Sequence, residues 1–160
     1  MIIIADSSPL IALAILDQLQ LLTHYFDNVF IPYAVYEEVC SDDKPHYKKL
    51  KIFLTEKVVD VKNKYMVIAL NERIDMGESQ AITLALESNA DFILLDDLKA
   101  RKTAIRYGLK VIGSLGILLS AKKEGKIKSL SDVIQILMKN NIRLSDKIIS
   151  DVLKEAGEID

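Results

Sequence analysis

Asp91-Phe92-Ile93-Leu94-Leu95-Asp96-Asp97 places four apolar residues in a row between carboxylates. A short continuous apolar run bounded in this way reads as a strand covered on both faces, as in a parallel sheet flanked by helices. The same grammar opens the chain. Met1-Ile2-Ile3-Ile4-Ala5 is apolar and β-branched, and Asp6 ends it. Two buried strands that both stop at an aspartate gather carboxylates at one edge of one sheet. In open α/β sheets that edge, outside the carboxyl ends of the strands, is where sites form.

Outward from these two strands, apolar periodicity predicts alternating elements. Ser8 reads as an N-cap with Pro9 in the first turn, followed by an apolar, buried helix over Leu10 to Leu16. A helix over Leu19 to Phe26 leads to a short strand, Val29-Phe30-Ile31. Pro32 opens a helix through Val39, with Ile31, Val35 and Val39 as its apolar stripe. After the loop Ser41 to Pro45 come a helix from His46 to Leu54, a strand at Val58-Val59-Asp60-Val61 and a helix over Tyr65 to Leu70. Gly77 punctuates the chain before a helix from Glu78 to Ser88. Beyond Asp97 the pattern predicts a helix over Lys99 to Tyr107 capped by Gly108, a strand at Val111-Ile112-Gly113, and a helix over Leu115 to Glu124 ended by Gly125. Two amphipathic helices, Ser129 to Asn140 and Ser145 to Ala156, close the chain. The expectation is an α/β fold with three α/β/α layers and a central parallel sheet. It forms one domain over 1–160, with the α/β core at 1–126 and a C-terminal helical pair at 127–160.

With 160 residues, half of them hydrophobic and 28% charged, the chain has the composition of a globular domain with a proper core. The single cysteine, Cys40, allows no intramolecular disulfide. Met1-Ile2-Ile3-Ile4 lacks a basic flank and meets Asp6 too early for a signal peptide. No apolar run approaches the ~18 residues of a membrane span. The expected protein is soluble and cytoplasmic. A formal net charge of −2 is not that of a protein that coats nucleic acid by bulk charge, but it leaves room for a local basic patch.

Asp6, Glu38, Glu78 and the pair Asp96/Asp97 stand out together, each at the edge of an element beside apolar sequence. Ala81, Ile82 and Ala85 follow Glu78 at i+3, i+4 and i+7, so Glu78 extends a buried stripe. A carboxylate facing a core needs partners or a metal. Glu38 follows Val35 by three residues, whereas Glu37 faces solvent. Converging carboxylates repel unless a cation neutralises them, and an all-oxygen set suits Mg²⁺ or Mn²⁺ rather than Zn²⁺. His24 and His46 have no partner at metal-ligand spacing. Carboxylate-held Mg²⁺ activates water and stabilises displacement at phosphorus, so phosphodiester hydrolysis is the reaction such residues serve. Plainer readings exist for each alone: Asp6 satisfying backbone donors, Glu78 favoured by a helix macrodipole, Glu38 as surface charge, and Asp96 or Asp97 as an N-cap.

These residues also carry a resemblance. Asp6-Ser7-Ser8-Pro9-Leu10-Ile11-Ala12-Leu13, Ile31-Pro32 with Val35-Tyr36-Glu37-Glu38-Val39, and Gly77-Glu78-Ser79-Gln80-Ala81-Ile82 are similar to a prokaryotic PIN-domain-like family. Leu94-Leu95-Asp96-Asp97 with Arg101, Gly108 to Gly113 with Leu115-Gly116, and Leu153 to Glu158 continue the likeness in the same order. The family is related in fold to VapC-type toxin ribonucleases and holds Mg²⁺ or Mn²⁺ in an acidic cluster. The resemblance implies Asp6, Glu38, Glu78 and Asp96 as catalytic and metal-holding acids. Asp97 is a further metal or capping residue, and Ser7 and Arg101 support the set. Two departures affect geometry: Leu95 stands where many relatives carry Thr or Ser, and the third acid is glutamate where many toxins have aspartate.

A polyanion must still be attracted. Lys99, Arg101, Lys102, Arg106 and Lys110 form one basic group, and Lys122, Lys123, Lys126 and Lys128 another. Either grips phosphates or forms a solvated helix face. Tyr33 and Tyr36 stack on bases or pack in the core. The first expectation is a metal-dependent endoribonuclease acting on single-stranded RNA, in its narrower form the toxin of a toxin–antitoxin pair with a small antitoxin as partner. The alternatives are a non-catalytic PIN-like module binding nucleic acid or protein, and a phosphatase-like or DNA-directed metal hydrolase. The C-terminal helices offer apolar surface for a homodimer or for packing within one chain.

Overall fold

A computed structural model describes all residues, Met1–Asp160. The chain runs β1 (Ile2–Ala5), α1 (Ser7–Ile15), α2 (Gln20–Tyr25), β2 (Asn28–Phe30), α3 (Tyr33–Cys40), α4 (Tyr47–Leu54), α5 (Lys64–Asn71), α6 (Met76–Glu87), β3 (Phe92–Leu94), α7 (Leu98–Arg106), β4 (Val111–Ile112), α8 (Ser114–Lys123), α9 (Leu130–Lys139) and α10 (Asp146–Glu155). The four strands form one sheet in the order β2-β1-β3-β4. Every pairing is parallel, with Ala5 opposite Leu94 and Leu94 opposite Ile112. The chain leaves β1 toward β2 on one side and later pairs β3 on the other. β1 and β3 therefore flank the point where strand order reverses, the usual place for a crevice in such sheets.

The two-residue period of the strands divides the interior. Ile3, Ala5, Val29 and Leu94 join the larger apolar cluster, packed with α1, α3, α4 and α8. Ile4 and Ile93 face the other way into a smaller cluster with α6 and α7 residues such as Ile82, Ala85, Ala100 and Ala104. Helices thus cover both faces, giving the three-layer α/β/α arrangement. Because each strand is buried on both sides, it reads as continuous apolar sequence rather than as alternation. No helix is long and apolar enough to cross a membrane.

Three expectations are adjusted. Val58–Val61 is not a strand: Ile31 and Val58 form one isolated bridge, supported by Ile31 N–H donating to Lys57 O and Val59 N–H to Ile31 O. This segment meets the chain beyond the end of β2 and then departs, so no ladder develops. Helix α1 begins at Ser7, with Asp6 rather than Ser8 at the N-cap position. Helix α6 begins at Met76, ahead of Gly77, because Asp75 and Glu78 form a capping box.

The C-terminal pair packs onto the body of the same chain. Leu130, Ile134, Leu137, Val152 and Leu153 belong to the larger cluster. Glu158 fastens the end: its carboxylate accepts from the backbone amides of Leu130 and Ser131 at the start of α9, and pairs with Lys122 at 3.1 Å. A carboxylate there satisfies otherwise orphaned N–H groups and complements the helix dipole. Glu158→Ala is expected to lower unfolding stability by about 1–2 kcal/mol. The readout is a lower urea midpoint with an unchanged slope.

Candidate active site

Asp6 leaves β1 at the carboxyl edge of the sheet, where its backbone amide still donates to Leu94 O at 3.1 Å. Its residue is 3% exposed, and although it occupies the N-cap position of α1 its side chain makes no capping hydrogen bond. Glu38, on α3, leans toward it, and the Ser7 hydroxyl donates to Glu38 Oε2 at 2.6 Å. Gly77, in the first turn of α6, faces these two acids. A Cβ there would stand 3.2 Å from Glu38 Oε2 and 3.5 Å from both Asp6 Oδ1 and Asp75 Oδ1. Three carboxylate oxygens thus border the Gly77 position, where a side chain would crowd Glu38 Oε2. Gln80 ties the two helices that border this position, its Oε1 accepting from Ala34 N–H at the start of α3 at 3.0 Å.

Glu78 is buried, at 8% exposure, and completes the capping box: its Oε2 accepts from Asp75 N–H at 3.1 Å while Asp75 Oδ1 accepts from Glu78 N–H at 2.8 Å. The plain reading of Glu78 as a first-turn helix acid and the reading of it as an inward carboxylate both describe it. Asp97 caps α7, accepting from Ala100 N–H at 2.9 Å. Asp96 is turned to different company. Its two oxygens accept from Ser114 N–H and Ser114 Oγ, each at 2.7 Å. Arg101 lies beside it, held by a 2.8 Å bond from Nη1 to Leu95 O. A Cβ at Gly113 would meet Arg101 Nη1 at 2.9 Å and Asp96 Oδ1 at 3.0 Å, so a side chain there would push these two groups from their present places.

Charge sorts the acids in the same way. Burial pushes the Asp6 carboxyl up to about 8; the Ser7 amide opposes this, and the charges of Glu78, Asp75 and Glu38 add to it. Burial likewise pushes Glu78 up to about 7, against the Asp75 amide and with the charges of Asp75, Asp97 and Glu38. Desolvation also raises Asp96, but the forces answering it are Ser114 and Arg101. Asp6, Glu38 and Glu78 thus share one electrostatic neighbourhood with Asp75 and Asp97, while Asp96 is met by Ser114 and Arg101 instead. No three acidic, histidine or cysteine side chains ring a single point at ligand distance as placed.

Asp75, Gly77, Gln80, Gly113 and Ser114 were not among the expected site residues. Asp75 was signalled by the spacing Asp75-x-x-Glu78, a capping-box pattern. Ser114 carried no local signal, since only the β3–β4 pairing brings it to Asp96. The basic groups differ in use. Lys122, Lys123 and Lys126 pair with Glu158, Glu155 and Glu124. Lys99, Arg101, Lys102, Arg106 and Lys110 form no ion pair. Tyr33 is 52% exposed, and Tyr36 packs against the larger cluster.

The family model described as a PIN domain matches residues 2–158, nearly the whole chain. No curated protein matches it. A PIN-domain match means a nuclease-type fold, and that family implies a divalent cation. The residues present fit such an ion by their chemistry. Asp6 Oδ1 and Glu38 Oε2 approach one small space, all the donors are hard oxygens, and the accumulated negative charge is what a divalent cation relieves.

The raised Asp6 carboxyl fixes the sign of a pH dependence. The folded state holds this proton more tightly than the unfolded chain, so Asp6 penalises folding increasingly as pH rises from about 4 through about 8. In EDTA, Asp6→Asn is expected to stabilise the protein by about 1–3 kcal/mol at pH 8.5. Urea unfolding at pH 5.5 should give a smaller gain; an equal or larger gain at pH 5.5 contradicts the assignment.

Proposed function

The chain belongs to the PIN-domain family, and from that premise we propose that it is a metal-dependent endoribonuclease that hydrolyses phosphodiester bonds of single-stranded RNA. The observation that carries the reading is the approach of Asp6 Oδ1 and Glu38 Oε2 to one space beside Gly77. Asp6, Glu38 and Glu78 are the residues that would hold Mg²⁺ or Mn²⁺, with Asp96 completing the catalytic set and Asp97 at its margin. When bound, the ion supplies a more acidic water and neutralisation of charge on a phosphate oxygen.

The protein's own residues do the rest. The Ser7 hydroxyl fixes the Glu38 carboxylate, and the capping box fixes the backbone from which Glu78 projects. Ser114 fixes where the Asp96 carboxyl points, and with the neighbouring Arg101 it opposes the desolvation that raises that carboxyl. Arg101 and the unpaired lysines of α7 would supply positive charge for an incoming phosphate chain. This reading extends to the toxin of a toxin–antitoxin pair, whose antitoxin tail would occupy the same acidic groove; a neighbouring gene for a small DNA-binding protein, if found, would favour it.

One observation favours a second reading, a non-catalytic PIN-like module that binds nucleic acid or protein. Glu78 is engaged in its capping box, and no three candidate ligands ring one point. Calorimetric titration separates the two: measurable Mn²⁺ binding that is lost in Asp6→Asn supports the nuclease, and its absence in the wild type supports the module.

Pooled single-stranded RNA should be cut in Mn²⁺ or Mg²⁺ and spared in EDTA. Asp6→Asn and Glu78→Gln should each reduce the rate by about 100-fold or more, as removal of electrostatic stabilisation at a reacting centre does. Circular dichroism should show the fold retained. Unchanged cleavage in both variants rejects the site.

A further inference from the structure

Beside the acids lies a cleft of about 760 Å³ whose lining includes Asp96, Asp97 and Arg101 together with Leu98, Arg143 and Ile148. That volume is within the ~300–1,000 Å³ of small-ligand pockets. Arg143 and Ile148 come from the α9–α10 connection and the start of α10, which carry none of the site acids. The connection is firmly held. Asn141 N–H donates to Met138 O and Ile142 N–H to Leu137 O, both at 3.1 Å. Asn141 adopts φ 64°, and Ile142 and Leu144 pack against the larger core.

Arg143 sits between those two anchors, yet its own side chain is exposed. It joins none of the ion pairs, in a chain with 23 acidic residues against 21 lysines and arginines. Leu98 is 65% exposed and Ile148 50% exposed, so large apolar side chains are left open at the same cleft. An unpaired guanidinium on a fixed loop suits a phosphate, which it can grip through two parallel hydrogen bonds. Open apolar side chains beside it suit the flat face of a base.

We propose that this cleft is a nucleotide subsite: Arg143 holds a phosphate of single-stranded RNA flanking the bond cut at the acids, and Leu98 and Ile148 cover the adjoining base. The identity of the strand rests on the ribonuclease reading. Charge favours nucleic acid over an apolar peptide, because a purely apolar segment would leave Arg143 unanswered. Continuity with Asp96 and Asp97 places the subsite on the track a cleaved strand must follow.

The test is fluorescence anisotropy of a fluorescein-labelled single-stranded RNA octamer with the whole protein in EDTA, over a series of salt concentrations. Arg143→Ala should weaken binding about 5–10-fold and reduce the slope of log K against log salt by about 0.7, the value for one phosphate contact on a single strand. Arg143→Lys should keep the slope and lose less affinity. Ile148→Ser should weaken binding about 3-fold or more with no change of slope. Melting temperatures close to wild type establish that these surface variants fold. Unchanged affinity and slope in Arg143→Ala overturn the subsite, as does absence of RNA binding by the wild type. An octaglutamate peptide that competes as well as unlabelled RNA also overturns it and makes the cleft a protein-docking surface. Because binding in EDTA needs no turnover, Arg143-dependent binding without any cleavage supports the subsite while counting against the nuclease.

Discussion

Holding carboxylates together at a sheet edge, two of them buried and the others open to solvent, is the constraint on which the rest of the structure depends. Asp6 is 3% exposed and Glu78 8%, and each feels the charges of its acidic neighbours. Such an arrangement destabilises the fold that builds it. It persists because most of these acids are answered locally by hydrogen bonds rather than by a counter-charge, Asp96 beside Arg101 being the exception. Ser7 donates to Glu38, backbone amides answer Asp75 and Glu78, and Ala100 N–H answers Asp97. Local hydrogen bonds fix where the carboxylates point without cancelling their charge. The net field is left for a cation to discharge.

The sheet supplies the registration. In a parallel sheet both β1 and β3 deliver their chain ends to the same edge, and the pairing of Ala5 with Leu94 sets Asp6 just beyond it. The β3–β4 pairing then carries Ser114 to Asp96. The remaining acids arrive on helices, whose placement is less strictly set by backbone pairing. Here the Gln80–Ala34 bond matters, since it locks α3 to α6 across the space above Gly77. Glu38 and Glu78 ride on these two helices. A small slip between them would separate the acids before it disturbed either core.

The strands and most helices were legible in the sequence, because double-sided burial writes itself as runs such as Ile2 to Ala5 and Phe92 to Leu95. The errors fall where local signal and tertiary context part company. Val58 to Val61 has strand composition but meets only Ile31, since the chain has passed the end of β2. Gly77 looks like a break, yet it sits inside the first turn of α6, because the Asp75–Glu78 capping box outweighs its low helix propensity. The acids themselves could be picked out one by one as carboxylates at element ends. Their sorting could not. That Asp96 faces Ser114 and Arg101, while Asp97 caps α7 and acts on Glu78, depends on long-range pairing that no local window contains.

Charge balance along the surface extends the same logic to a polyanionic substrate. An acidic centre repels phosphates, so cations must stand nearby without being consumed by the fold. The lysines at the end of α8 and just past it are consumed: Lys122 and Lys123 anchor acids of the C-terminal segment, and Lys126 pairs with Glu124. Arg101 is partly used, bonded to Leu95 O and set beside Asp96, whereas Lys99, Lys102 and Arg106 of α7, and Arg143 on the α9–α10 connection, join no ion pair. Arg143 borders one cleft with Arg101, Asp96 and Asp97, so one unpaired positive charge lies at the margin of the negative site. On the ribonuclease reading the C-terminal helical pair therefore has a purpose beyond stability. Packing Leu137, Ile142 and Leu144 against the core, with Glu158 fastening the start of α9, makes a rigid mount for a guanidinium that the α/β body alone could not place.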